Sequence, residues 1–208
     1  MHPPSHHDQS QALYEKNSIA GDRPPLRSPQ VYTAMASLAP LANLAPYHIM
    51  LYGTLLGTEL YQSFVMTKIC YDALPMPAFT TLQKRVFPVY FRLQSLLFLL
   101  TAATHPPYGP VSLVSSAGDL APMALGGTLA ALNLVVYGPR TQKAMVERIH
   151  QETRDGKKYN DPESTEEMRV KNREFSRAHA MSIHLNLVAI GATIWYGFRL
   201  ASRIEIVV

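Results

Sequence analysis

A handful of ionisable and amide side chains interrupt otherwise apolar runs, and they are the residues that could do chemistry. Glu59 precedes Lys68 by nine positions, which at helical rise puts it roughly 13 Å from that basic boundary. Arg92 follows Arg85 by seven positions and Asn133 precedes Arg140 by seven, each roughly 10 Å in. His184 and Asn186 follow Arg177 by seven and nine, roughly 10–13 Å. An ionisable group at such depth costs several kcal/mol unless it is paired, neutralised or wetted. Three uses follow, in this order. Glu59 pairs with Arg92 as an interhelical fastener; the layer lines a polar cavity for a proton, an ion or a small polar cargo; or Glu59, Asp119 and His184 form a catalytic or metal site. The third is disfavoured because Asp119 lies nearer the opposite boundary, close to Pro110.

Helical phase groups these residues. Ser112, Asp119, Gly126 and Asn133 recur every seven positions and share one face, and His179, Ser182, Asn186 and Thr193 stripe another. His179 and His184 stand about 140° apart at ~100° per residue, so they do not chelate one ion together. The intramembrane polar cluster is therefore assigned to Glu59, Arg92, Asn133, His179, Ser182, His184 and Asn186. Gly53 and Gly57 form a Gly-x-x-x-Gly pair that would let a second helix approach closely, making a homo-oligomer contact. No catalytic residue, metal ligand or cofactor is assigned, because no Ser/His/Asp order, phosphate-cradling glycine loop or zinc motif is present.

The elements that must position these residues are four apolar runs, about 44–66, 86–103, 111–136 and 180–201. Each approaches or exceeds the ~18–20 residues needed to cross a hydrocarbon core. The near-zero mean hydropathy of −0.02 hides this, because 139–177 holds 10 of the 19 Lys/Arg and 8 of the 15 Asp/Glu while 180–198 holds none. Leu74-Pro75-Met76-Pro77, His105–Pro110 and Gly138-Pro139 punctuate the runs. Beyond the last, Arg140–Thr153 reads as a polar surface helix stopped near Gly156, and Ser164 with Glu167 reads as a capping box. Tyr90, Tyr108, Trp195 and Tyr196 read as interface anchors. The expected fold is all-α: an integral membrane four-helix bundle over 44–203, a disordered proline-rich tail over 1–43, and a charged helical loop over 139–177.

Among the 208 residues the lone Cys70 excludes a disulfide scaffold and a multi-cysteine zinc site. The pI near 9.2 does not imply nucleic acid, since acids and bases interleave and no basic stripe forms. No apolar segment follows Met1, so no cleaved secretory signal is expected, and Asp8, Glu15 and Asp22 argue against a mitochondrial presequence. His2, His6 and His7 read as solvated tail histidines. Basic residues number 13 on the side of the first and third loops against 5 on the other, Arg92 left out. That bias places Lys68, Lys84, Arg85 and 139–177 in the cytosol. The endoplasmic reticulum or another endomembrane is the expected site, with the mitochondrial outer membrane as the alternative. The bilayer itself, a second copy, and a cytosolic protein docking on 139–177 are the expected partners.

Several stretches resemble the transmembrane protein 205 family, small eukaryotic four-span proteins. They are Gly57-Thr58-Glu59 through Phe64; Leu74-Pro75, Phe79 and Val86–Phe91; Asn133, Pro139-Arg140-Thr141 and Met145; and Phe175, His179, Ser182, Asn186 and Leu187, in order across ~45–200. The resemblance implies the same four-helix membrane fold, with His179, Ser182 and Asn186 on the family's most recognisable pattern. Glu59 stands where that family more often has a neutral polar residue. It implies no settled reaction, only a link to export and secretory traffic. The expected function is therefore a non-enzymatic multi-pass membrane protein of transport or trafficking. The alternative is a small membrane-embedded oxidoreductase or metal- or haem-binding enzyme using intramembrane Glu and His.

Overall fold

The structure, a computed structural model, describes residues 43–204. The chain divides into a unit of 1–42 and a unit of 43–208. The tail expected over 1–43, with its histidines, Lys16, Arg23 and Arg27, lies outside the described residues except for Asn43. The described residues are helices and turns, with no strand among them.

The first helical run is α1 (Leu44–Leu60), a π-helical turn π1 (Tyr61–Met66) and α2 (Thr67–Ala73). Asn43 caps it by accepting from Ala45 N at 3.0 Å. The π turn closes where the Thr67 N–H reaches the Gln62 carbonyl, five residues back. The Thr67 hydroxyl donates to the same carbonyl at 2.7 Å, and such bulges re-aim the side chains around them. Leu74, extended before Pro75 at φ −111° and ψ 142°, ends the run.

Helix α3 (Met76–Ala103) begins ten residues before the apolar run expected from Val86. Pro77 in its first turn suits a helix start. Pro88 inside α3 removes the donor that Lys84 O would have met. Gln142 Nε2 takes that freed carbonyl at 3.1 Å, so the helix passes through the proline. Gly109 closes the turn after α3 at φ +66°. A Cβ there would meet Ala103 O at 2.7 Å, which is why the position holds glycine.

The third expected span is broken. Short helix α4 (Pro110–Ser115) stops at Ser116, and α5 (Ala117–Leu132) restarts. The Ser116 carbonyl accepts from Asp119 N and Leu120 N, and its hydroxyl donates to Asp119 Oδ2 at 2.7 Å. A second π turn, π2 (Asn133–Tyr137), leads into α6 (Gly138–Asp155). The helix thus runs through Gly138-Pro139, where the sequence suggested an end. Gly138 N donates to Asn133 O five residues back, and Pro139 falls in the first turn of α6, where its missing N–H costs little. Gly156, left-handed at φ +64°, stops α6. Helix α7 (Glu166–Ala201) is capped by Thr165, which accepts from Met168 N at 3.2 Å. The cap is one residue after the Ser164 expected, because Thr165 also donates to Asp155 Oδ2 at 2.7 Å and so ties the start of α7 to the end of α6.

Helix α7 packs along α5 and α6, α3 touches α1 and α5, and α1 touches α7. Leu55, Leu97, Phe98, Leu113, Met123, Ala130 and Tyr196 form the buried core. Among the described residues three helical stretches, Met76–Ala103, Ala117–Asp155 and Glu166–Ala201, are long and apolar enough to cross a membrane by length and composition, and the first expected span, 44–66, is not one of them. Side-chain distribution agrees. Val89, Leu99, Val135 and Phe198 are 61–75% exposed while His48, Glu59, Gln94, Asp119 and Asn133 are fully buried. Apolar groups outside and polar groups inside is the arrangement a lipid solvent favours.

Candidate functional site

Two buried polar networks lie inside the helices, one towards each end. The first starts at Glu59 in the last turn of α1. Gln94 Nε2 of α3 donates to Glu59 Oε1 at 2.8 Å and to Asn186 Oδ1 of α7 at 3.3 Å. Tyr90, one turn before Gln94, donates its hydroxyl to the same Asn186 oxygen at 2.9 Å. Asn186 Nδ2 donates to Ser63 Oγ of π1 at 2.9 Å. The π turn that follows Glu59 keeps Gln62 and Ser63 turned inward with it. Beside this network Asn133 Nδ2 of π2 donates to Ser182 O of α7 at 3.1 Å. Glu59 Oε2, Gln94 Oε1 and Asn133 Oδ1 are buried and have no hydrogen-bond partner among the described residues.

Of the residues assigned from sequence, Glu59, Asn133, Ser182 and Asn186 come together here. Arg92 does not. It is exposed and bears no hydrogen bond or ion pair among the described residues, so the expected Glu59–Arg92 fastener is absent and Gln94 is Glu59's partner. The reason is angular: Arg92 is two residues from both Tyr90 and Gln94, about 200° round the helix at ~100° per residue. His184 is exposed, with Nδ1 2.6 Å from Ala180 O on its own helix. His179 stacks on Phe175 at 5.2 Å and 15°, among the groups that join α6 to α7. Gly53 and Gly57 are exposed on α1, and a Cβ on either would meet nothing within 4 Å. They make no close helix contact among the described residues.

The second network was not foreseen, apart from Asp119. Asp119 is fully buried and meets Arg199 Nε at 2.9 Å, an Arg203 terminal nitrogen at 2.6 Å, Ser116 Oγ at 2.7 Å and His105 Nε2 at 3.4 Å. Gly118 leaves the room for Arg199, because a Cβ there would collide with the guanidinium. His48 lies beside His105, ring centroids 5.5 Å apart. Its Nδ1 is 3.0 Å from Thr101 O and its Nε2 is 2.5 Å from the Tyr196 hydroxyl. A carbonyl only accepts, so Nδ1 carries the hydrogen and Nε2 accepts from Tyr196. Tyr90 and Tyr196, expected at the interface, are instead 4% and 1% exposed, because their hydroxyls find partners inside. Trp195 and Tyr108 are exposed. Glu59, Asp119 and His184 thus belong to three separate surroundings, so the catalytic or metal set considered from sequence is not assembled. Among the described residues no group of three or more His, Cys, Asp and Glu could hold a metal ion.

The charged stretch 139–177 is an ordered hairpin of α6 and the start of α7. Lys171 Nζ bridges Glu147 at 2.8 Å and Glu174 at 3.0 Å. Hydrogen bonding to Lys171 holds the Glu147 carboxyl below its ordinary range and Glu147 holds the Lys171 ammonium above its own. Arg148 lies over the rings of Tyr159 and Phe175 at 4.4 and 4.1 Å, and burial lowers the proton affinity of its guanidinium. Met168, 1% exposed, fills the seam.

Residues 50–150 match the family profile described as "Domain of unknown function (DUF4149)". "Xanthocillin biosynthesis cluster protein D" of Aspergillus fumigatus is 47% identical over 169 residues, covering 81% of this chain and 96% of that protein. The chain belongs to that protein's family. The matched DUF4149 region holds Glu59, Tyr90, Gln94, Asp119 and Asn133, whereas Ser182, Asn186, Tyr196 and Arg199 come from the helix beyond it. No solved structure matches the chain.

Proposed function

We propose that the chain is a four-helix, four-span membrane protein that acts without catalysis in the export or secretory handling of a small polar molecule. The first network carries this reading. Glu59 and Gln94 are fully buried among helices whose outer faces are apolar, and among the described residues no cation stands opposite the carboxyl. An ionisable group retained at such depth without a charged partner supports a role in a substrate or ion pathway. Two further supports are indirect: the relative's name ties it to a biosynthesis cluster, and the resemblance to the transmembrane protein 205 family implies export. The first run, 44–73, supplies the fourth span by its length, with π1 at the depth of Glu59. The bias in basic residues puts the α6–α7 hairpin in the cytosol, on an endomembrane or, as the alternative, the mitochondrial outer membrane. There the hairpin's outer face would dock a cytosolic protein, and a second copy would meet the Gly53/Gly57 face.

The test is removal of the chain from its source cell, with small-molecule products measured in the medium and in the cells. Retention of a product in the cells, reversed by the wild-type chain, is the expected result. An unchanged distribution, with the tagged chain shown to be resident in a membrane, would refute the transport reading.

A further inference from the structure

The Glu59–Gln94 contact leaves two atoms without partners, and both are acceptors. Glu59 Oε1 receives the Gln94 amide hydrogen at 2.8 Å, while Glu59 Oε2 and Gln94 Oε1 are buried and unpartnered. Turning the amide over would bring the Gln94 oxygen, another acceptor, to Glu59 Oε1. A single added hydrogen removes the difficulty. A carboxylic acid and a carboxamide form a cyclic pair in which N–H meets one carboxyl oxygen and the acid O–H meets the amide oxygen. A hydrogen on Oε2 directed at Gln94 Oε1 would satisfy both orphaned acceptors at once, which matters because a buried polar atom left unmatched costs about 1–3 kcal/mol.

Among the described residues nothing else neutralises the carboxyl. The groups facing Glu59 are Tyr52 of its own helix, Tyr90 and Gln94 of α3, and Asn186 and Thr193 of α7. None is a cation. From α5 and π2, Asp119 is held by Arg199 and Arg203 at the other network, and Tyr137 lies under Arg140. The basic residue nearest in sequence on α3, Arg92, points away. The Asn186–Ser63 hydrogen bond extends the network from Glu59 towards Lys68, the side from which water would deliver the proton.

We infer that Glu59 and Gln94 form a binding site for one exchangeable proton inside the membrane domain. Hydronium in the water on the Lys68 side gives its proton to the carboxylate and leaves as water, and release reverses the step with no oxidant or reductant. The site deepens the transport reading and rests on it only for what the proton is used for, namely coupling cargo movement to a proton gradient.

Infrared spectroscopy of the full chain in lipid at neutral pH tests the site directly. The expected spectrum holds the carbonyl stretch of a protonated carboxyl. That band should shift in heavy water, fall as the pH is raised, and lose intensity equivalent to one carboxyl in Glu59→Gln. If Glu59→Gln does not fold, labelling the wild type with carbon-13 glutamate should move the band, and labelling with carbon-13 aspartate should not. A folded wild type without the band, a band that ignores heavy water, or one moved by labelled aspartate alone would overturn the inference. A band removed by sodium or potassium at fixed pH would overturn it in favour of a metal-cation site. The product-distribution experiment stands apart: an unchanged distribution with the band present refutes transport and leaves the proton site intact.

Discussion

Arg199 donates Nε to Asp119 Oδ1 at 2.9 Å, joining the last turn of α7 to the first turn of α5 across the end of the structure opposite Glu59. Arg203 adds a second guanidinium on Oδ2. The two networks therefore treat their buried acids in opposite ways: among the described residues Asp119 has two cations and Glu59 has none. Asp119→Asn should lower stability in detergent by about 1–3 kcal/mol, less than for a wholly buried pair because the two arginines it leaves are 36% and 46% exposed and can turn to water. Arg199→Gln should cost less, because Arg199 is 36% exposed and Arg203 remains. A double-mutant cycle read by thermal unfolding checks this, and strict additivity of the two losses would show that the pair is not coupled.

Much of the helical organisation was legible because length and hydropathy determine it. The apolar runs, the turn at 104–110, the stop at Gly156 and the depth shared by Glu59, Asn133 and Asn186 all follow from spacing. The partners did not follow, for reasons visible at particular residues. Counting ionisable groups selected Arg92 and passed over Gln94, although helical phase puts Gln94 one turn from Tyr90 and Arg92 on the far face. The same depth count applied from the opposite boundary would have set His48 and His105 beside Asp119. The break at Ser116 and the passage through Gly138-Pro139 were hidden because serine and proline act there through hydrogen bonds and π turns that hydropathy does not register.

Gly126 is where α5 accepts the Phe98 ring of α3. A Cβ at that position would fall 2.5 Å from Phe98 Cζ, and Phe98 is 3% exposed with core on every side. The ring cannot swing into solvent, so Gly126→Ala should destabilise by about 1–3 kcal/mol through overpacking. Phe98→Leu, shorter at the clashing end, should recover part of the loss in the double variant. Equal thermal stability of Gly126→Ala and wild type would refute the tight contact.

The α6–α7 hairpin gives a pH dependence whose sign can be worked out. Glu147 is held below its usual 4.5, chiefly by its hydrogen bond to Lys171, with Lys143 and His150 adding to it. Its contribution is thus present above that usual value and is lost as pH falls through the lower, folded value. Lys171 is held above its usual 10.5 by Glu147 and Glu174. Its contribution is present below 10.5 and is lost as pH rises through the higher, folded value. Amide exchange protection of α6 relative to α5 should be flat above neutrality and fall at both extremes, the acid fall beginning with His179, which burial and Arg148 hold below its usual 6.5. Lys171→Met should flatten both limbs, and an unchanged acid limb in that variant would place the effect elsewhere.

Gly53 and Gly57 separate folding from association. Within the chain a Cβ on either meets nothing within 4 Å, so replacing both with isoleucine should leave the thermal midpoint of the single chain nearly unchanged. If a second copy packs against this face, the same replacement removes the close backbone approach on which Gly-x-x-x-Gly association depends. The expected outcome is a shift from dimer to monomer, read by crosslinking in bilayers and by light scattering in detergent, with the fold intact. A folded double variant that still crosslinks at the wild-type level would move the interface to another face. A double variant that unfolds would contradict the open space beside α1 itself.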